Sequence, residues 1–136
     1  MDDSSLATTI TDLLERGPFP ANRAARLLDA LAVRHGMDSR SIFWWAGAPM
    51  AKRKIQYDGS EEGFSCLSTL LADVRGEICL VASDECPSPW PVWALRPSEV
   101  IPLVSALPFF EYFLVLDDGA TLVFDTHHNV LVVSSA

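Results

Sequence analysis

The chain has 136 residues, 49% of them hydrophobic and 21% charged, a composition that suits one globular domain and excludes a disordered chain. Its net charge is −8, and the carboxylates are unevenly spread, because residues 76–136 hold eight Asp or Glu and one basic residue, Arg96. Such an acidic surface disfavours nucleic acid and anionic membranes as partners and favours a basic protein.

The apolar runs and the cysteines bear on where the protein works. No apolar run approaches the roughly 18 residues of a membrane-spanning helix, and the acidic start, MDDSSLATTI, does not look like a secretory signal. Cys66, Cys79 and Cys86 cannot all pair within the chain, which is typical of a reducing compartment. We therefore expect a cytoplasmic protein.

Four segments have apolar residues at helical spacing and are predicted helices. The first two, SSLATTITDLLERGP and ANRAARLLDALAVRHG, end at Gly17 and Gly36. We expect residues 1–36 to form a helical hairpin packed on a single α+β domain that spans residues 1–136. The other two helices are DGSEEGFSCLSTLLADVRG and RPSEVIPLVSAL. His35, just before Gly36, is interpreted as a favourable charge at a helix C-terminus.

Short apolar runs between turn signals predict strands. They are KRKIQY, EICLVAS, VWAL, YFLVL, TLVF and VLVV, and SIFWWAGAP is a further candidate that pairs with KRKIQY. The DDG between YFLVL and TLVF predicts a type I′ hairpin turn, because Asp-Gly tolerates the positive φ angles that this turn needs. We expect an α+β fold with about four helices and a largely antiparallel sheet of about five to seven strands, ending in a three-stranded meander.

The basic run Lys52, Arg53 and Lys54 lies in the candidate strand KRKIQY. Lysines on an exposed edge strand discourage edge-to-edge aggregation. We therefore interpret the run as part of an edge strand and not as a nucleic-acid site.

The predicted strands are apolar on both faces. Tyr112, Leu114 and Leu116 point one way, and Phe113 and Val115 point the other way. Helices can cover one face, and the second face requires the N-terminal helices, a curl of the sheet, or a second molecule. The last alternative leaves a homodimer open.

Asp125, His127 and His128 form the densest group of potentially reactive side chains, with Cys86 as a further candidate. Their spacing matches no zinc pattern and no nucleophile elbow, and adjacent histidines in a strand point to opposite faces. We therefore expect no metal and no cofactor. The two histidines are interpreted first as a corner of the sheet and second as a ligand site.

Trp44 and Trp45 are adjacent, so in a strand one of them faces outward. An exposed tryptophan beside acidic residues is typical of a protein-binding hot spot. Asp117, Asp118 and Asp125 would carry the charge of such a surface.

The C-terminal part, from about Glu77 to Val133, contains PVWAL, FFEYFLVLDD and DTHHNVLVV. In these segments it resembles a family of small bacterial proteins of uncharacterised function, whose members end in a His-His pair followed by a polar residue and apolar residues. The family usually has a tryptophan in the return strand, where this chain has TLVF. In style, a small acidic α+β protein also resembles immunity proteins, which bind and neutralise toxins.

Together these features predict a non-catalytic protein-binding protein and, in its most concrete form, an immunity protein that neutralises a basic toxin. The predicted partner-binding residues are Trp44, Trp45, Asp117, Asp118 and Asp125. The alternative is an enzyme or a small-ligand or metal-binding protein with its site around Asp125, His127, His128 and Cys86.

Overall fold

The computed structural model describes residues 4–36, 51–58, 60–74, 76–83, 90–107, 110, 112–125 and 130–135. The helices in this part of the chain are α1 (Ser4–Leu14), α2 (Ala21–His35), α3 (Ser60–Leu71) and α4 (Pro97–Ala106). The strands are β1 (Ala51–Gln56), β2 (Ile78–Ala82), β3 (Val92–Leu95), β4 (Tyr112–Leu116), β5 (Thr121–Asp125) and β6 (Val130–Ser135).

All six strands belong to one antiparallel sheet in the order β1-β6-β5-β4-β2-β3. Adjacent pairing of β4, β5 and β6 forms the predicted C-terminal meander. The α+β class, the largely antiparallel sheet and the four predicted helices are confirmed.

The sheet separates two apolar clusters, because successive strand residues point to opposite faces. In β4, Tyr112, Leu114 and Leu116 belong to the first cluster, together with residues of α1, α3 and α4. Phe113 and Val115 belong to the second cluster, together with residues of α2. The first two helices, predicted as a hairpin, therefore lie against opposite faces of the sheet, because each buries its apolar stripe on a different face.

Helix α2 covers the second face of the sheet. Its buried residues are Ala24, Leu28, Leu31 and Ala32. They pack in the second cluster, against the strand side chains that point to this face. These strand side chains are buried within one chain. The sequence left a homodimer open because one sheet face needed a cover. Helix α2 provides that cover, so the described sheet gives no reason to expect a homodimer.

The two edges of the described sheet are treated differently. On β3, the carbonyl of Val92 accepts a hydrogen bond from the Phe19 amide (2.7 Å), and the carbonyl of Ala94 accepts one from the Arg16 guanidinium (2.8 Å). Arg16 also binds both carboxylate oxygens of Glu99, at 3.0 and 2.9 Å. The segment before α2 thus closes this edge to further strand pairing.

Glu99 joins this edge to the start of α4. Its carboxylate also accepts a hydrogen bond from the Arg96 amide, at 2.8 Å. The pKa of Glu99 lies below its ordinary value, first because of the hydrogen bond from Arg16 and then because of the Arg96 amide. At the opposite edge, β1 pairs with β6 and is the outermost of the described strands, as its basic run predicts.

No helix in the described ranges is long and apolar enough to cross a membrane.

Candidate functional site

The predicted aspartates lie at opposite ends of the β4–β5 hairpin. Asp117 and Asp118 follow β4, in the turn before Thr121, whereas Asp125 closes β5 and pairs across the strands with Tyr112. The four residue steps of β5 separate the two ends by about 14 Å. We refer to these places as the turn end and the Asp125 end of the sheet. The three carboxylates therefore do not form one patch.

The predicted type I′ geometry is present in the turn. Asp118 has φ 55° and ψ 32°, Gly119 has φ 95°, and the Ala120 amide donates to the Asp117 carbonyl at 3.1 Å. Asp117 also has a positive φ, 53°, which this turn type does not require. A left-handed conformation at a non-glycine residue costs roughly 1 kcal/mol, and aspartate tolerates it better than most residues. Both aspartate side chains are exposed.

The C-terminus of α2 holds the backbone of this turn. Arg34 Nη1 donates to the carbonyl of Asp118 at 3.0 Å, and His35 Nε2 lies 2.8 Å from the carbonyl of Gly119. A Cβ atom at Gly119 would approach Leu31 Cδ2 to 3.2 Å, so glycine is needed there for space as well as for its φ angle. The protein thus binds two carbonyls of the turn through α2, and the exposed Asp117 carboxylate accepts one further hydrogen bond, from Thr121 Oγ1 at 3.2 Å.

The sequence analysis interpreted His35 as a favourable charge at a helix C-terminus. In the structure, His35 is instead part of the core. It is 0% exposed, and its Nδ1 lies 2.9 Å from the hydroxyl of Ser134, which is also 0% exposed. This serine–histidine pair resembles part of a hydrolase site in composition alone. Because solvent reaches neither side chain, its geometry supports a structural link between α2 and β6.

The positions of Trp44 and Trp45 fall outside the described residues. The described residues that flank them, Gly36 and Ala51, both lie at the turn end: Gly36 follows His35, and Ala51 pairs with Ser135. The chain therefore leaves and re-enters the described fold on the side that presents Asp117 and Asp118.

At the Asp125 end, the carboxylate is used inside the protein. The Tyr57 hydroxyl donates to Asp125 Oδ1 at 3.0 Å, and Tyr112 lies opposite Asp125 in the β4–β5 ladder. The pKa of Tyr57 is raised, first by burial and then by the charge of Asp125. The pKa of Tyr112, which is deeply buried, is raised by the same two causes in the same order. Both tyrosines therefore stay protonated, and the hydroxyl of Tyr57 binds the carboxylate.

A glycine within helix α3 makes room for this arrangement. A Cβ atom at Gly63 would lie 2.7 Å from a ring carbon of Tyr57, well inside van der Waals contact. Glycine in a helix interior costs about 1 kcal/mol relative to alanine. The position is thus explained by the close approach of the Tyr57 ring to the helix backbone.

The residues of the alternative site, Cys86, His127 and His128, lie outside the described residues. The described residues on either side of both segments, Ser83 with Trp90 and Asp125 with Val130, lie at the Asp125 end. Within the described ranges, no group of three His, Cys, Asp or Glu side chains is placed to hold a metal ion. Cys79, on β2, has a pKa raised chiefly by burial, which lowers its reactivity.

Sequence reasoning missed the three residues that organise these two ends: His35, Ser134 and Gly63. Gly63 carries a readable signal, because an isolated glycine inside a helical pattern lowers helix stability and indicates a close neighbour. His35 and Ser134 carry none, since they are 99 residues apart and meet only through the topology of the sheet.

Comparison with protein-family models, curated proteins and solved structures gives no match to this chain. The resemblance to small bacterial proteins with a C-terminal His-His pair stays a prediction. The functional argument therefore depends on the geometry described above.

Proposed function

We propose that this is a non-catalytic cytoplasmic protein that binds a basic protein through the turn end of its sheet. The observation that carries the proposal is the turn that contains Asp117 and Asp118: Arg34 binds the Asp118 carbonyl and His35 binds the Gly119 carbonyl, while both aspartates are exposed. Charged groups held in fixed positions lose little conformational freedom on binding, so they contribute more to affinity than mobile ones.

The charge distribution supports a basic partner. The turn belongs to the acidic C-terminal part of the chain, whose field attracts cationic surfaces and accelerates their encounter. Asp125 adds to this field, although its carboxylate is engaged with Tyr57. Trp44 or Trp45 is proposed as the apolar anchor, since their segment joins the fold at this end.

The concrete form of the proposal is an immunity protein that neutralises a basic toxin. The small acidic α+β fold and the exposed aspartates on a turn whose carbonyls are bound by α2 support this form. The one described serine–histidine pair is turned inward: His35 and Ser134 are fully buried and bind each other.

Affinity capture from the cells that encode the gene tests the proposal. Three forms of the tagged protein are compared at low ionic strength. They are the wild type, the double variant Asp117→Asn/Asp118→Asn (the turn pair) and the double variant Glu61→Gln/Asp73→Asn (the control pair). Both pairs remove two exposed carboxylates, but Glu61 and Asp73 belong to α3 and the residues after it. We expect the wild type and the control pair to retain a basic protein that the turn pair loses.

Capture of the same proteins by all three forms would contradict a site at the turn, and capture of no basic protein by the wild type would contradict the function. Single Trp44→Ala and Trp45→Ala variants then locate the anchor. A hot-spot tryptophan is expected to lower affinity by about 2 kcal/mol or more, and its neighbour by much less.

The Asp125 end supports a second candidate, a small-ligand or metal-binding site or an active site around Asp125, His127 and His128. The observation that favours it is that the segments containing Cys86 and both histidines begin and end beside Asp125 and its two tyrosines. Zinc titration by calorimetry of the wild type and of His127→Ala/His128→Ala tests it. If the wild type binds zinc and the variant does not, this candidate is favoured. If neither protein gives a heat of binding, the result contradicts a zinc site.

A further inference from the structure

We infer that His35 is a positioning residue, which holds Asp117 in its left-handed conformation and thereby, together with the Thr121 hydroxyl that donates to Asp117 Oδ2 at 3.2 Å, sets the direction of the Asp117 carboxylate. The inference deepens the proposed function, on which its consequence for partner binding rests. The conformational part concerns this chain alone and can be tested without a partner.

The hydrogen bonds of His35 define its tautomer. A carbonyl oxygen only accepts, so the 2.8 Å contact with Gly119 places a proton on Nε2. In the neutral imidazole, Nδ1 is then an acceptor, and the Ser134 hydroxyl donates to it at 2.9 Å. Both ring nitrogens are satisfied inside the core. The imidazole is therefore fixed from the β6 side and directs a single N–H toward the turn.

The conformation of Asp117 exceeds what the hairpin needs. A type I′ turn requires positive φ at Asp118 and Gly119, and an extended Asp117 would extend the β4–β5 ladder by one pair with Ala120. The observed ladder instead ends at Leu116 and Thr121, and Asp117 has φ 53°. Within the hairpin, the Thr121 hydroxyl donates to Asp117 Oδ2 at 3.2 Å, and an interaction from outside the hairpin adds to this contact.

Helix α2 supplies that interaction through the two carbonyls that follow Asp117. Arg34 binds the Asp118 carbonyl from an exposed position, whereas the His35 bond to Gly119 is buried. A buried hydrogen bond is the costlier one to lose, because its acceptor has no access to water. His35 therefore has the greater effect on the turn, and Arg34 assists it.

The sign of φ at Asp117 is the direct readout, measured by NMR from the HN–Hα coupling together with the Cα and Hα shifts. We expect His35→Phe, which keeps a ring but removes the donor, to return Asp117 to a negative φ while Asp118 and Gly119 keep the type I′ turn. His35→Gln places an amide donor near the position of Nε2 and is expected to keep Asp117 positive. Leu28→Ala, a substitution of another buried residue of α2, is the matched control, with Asp117 unchanged.

A positive φ at Asp117 in His35→Phe overturns the inference. If His35→Phe does not fold, the wild type decides: nitrogen-15 spectra must show the proton of the neutral His35 ring on Nε2, and a proton on Nδ1 alone overturns the inference as well.

The partner captured by the wild type provides the functional readout. Its affinity is expected to fall about tenfold in His35→Phe, the effect of one misplaced charged contact, and to stay within about twofold in Leu28→Ala. Equal losses in both variants contradict positioning. A wild type that binds no basic protein refutes the proposed function and leaves the conformational result to stand by itself.

Discussion

The two ends of the β4–β5 hairpin use the same residue type in opposite ways. At the turn end, helix α2 binds the backbone carbonyls, so the carboxylates of Asp117 and Asp118 face solvent. At the Asp125 end, the carboxylate itself is bound, by the hydroxyl of Tyr57. At the turn end the bonds from α2 go to the backbone, and the carboxylates have one exposed contact, from Thr121 to Asp117 Oδ2, so their charge stays available to a partner.

The largest expected effect concerns the link between α2 and the turn. We expect His35→Phe to lower the free energy of unfolding by about 3 kcal/mol, because it leaves the buried Gly119 carbonyl and the Ser134 hydroxyl without the imidazole. Urea denaturation followed by circular dichroism measures this. A loss below about 0.5 kcal/mol would show that the turn end does not depend on α2.

A matched pair of charge removals compares the two ends directly. Asp125→Asn is expected to destabilise the protein by about 1.5 kcal/mol, because the charge-assisted hydrogen bond from Tyr57 is weakened. Asp118→Asn is expected to stay within about 0.5 kcal/mol of the wild type, because Asn accepts the same backbone conformation at an exposed site. Both values come from chemical denaturation, and the comparison fails if the two losses are equal.

Gly63→Ala tests whether the Tyr57 ring really approaches α3. An ordinary helix glycine gains about 1 kcal/mol on this substitution, but here the new methyl group meets the Tyr57 ring at 2.7 Å. We expect a net loss of about 1 kcal/mol, since the ring must leave its place beside Asp125. In a Tyr57→Ala background the same substitution is expected to stabilise the protein. A stabilising Gly63→Ala in the wild type would contradict the contact.

Alkaline pH is expected to weaken the Asp125 end gradually. The raised pKa values of Tyr57 and Tyr112 mean that the unfolded chain releases these protons at a lower pH than the folded protein does. Their contribution to stability is full below about pH 10 and is lost as the pH rises from there toward the folded pKa values. We expect denaturation midpoints to fall more steeply above pH 10 in the wild type than in Tyr57→Phe. Identical slopes would argue against coupling through Tyr57.

Much of the fold could be predicted because local patterns and tertiary packing agree. The helical spacing in α2 ends at Gly36, which has the left-handed φ of 68° that a helix-ending glycine adopts. Asp118 and Gly119 form the turn that their sequence favours. The basic run in β1 marked an outer strand.

The arrangement of the helices could not be predicted in the same way. A short link after α1 allows the next helix to reach either face of a sheet that is apolar on both, so the pattern that predicts α1 and α2 does not choose a side. The candidate site shares this limit. Asp118 and Asp125 look alike in sequence, and their environments are set by Arg34 and Tyr57, which are 84 and 68 residues away.

The most direct test of the account is the rate at which the captured basic partner associates with the protein at several ionic strengths. We expect the rate constant of the wild type to fall steeply with added salt, and that of Asp117→Asn/Asp118→Asn to be about tenfold lower at low salt with a flatter dependence. Glu61→Gln/Asp73→Asn, which removes the same charge elsewhere, is expected to stay within about twofold of the wild type. If both pairs slow association equally, the partner responds to net charge alone and the turn end is not its binding site.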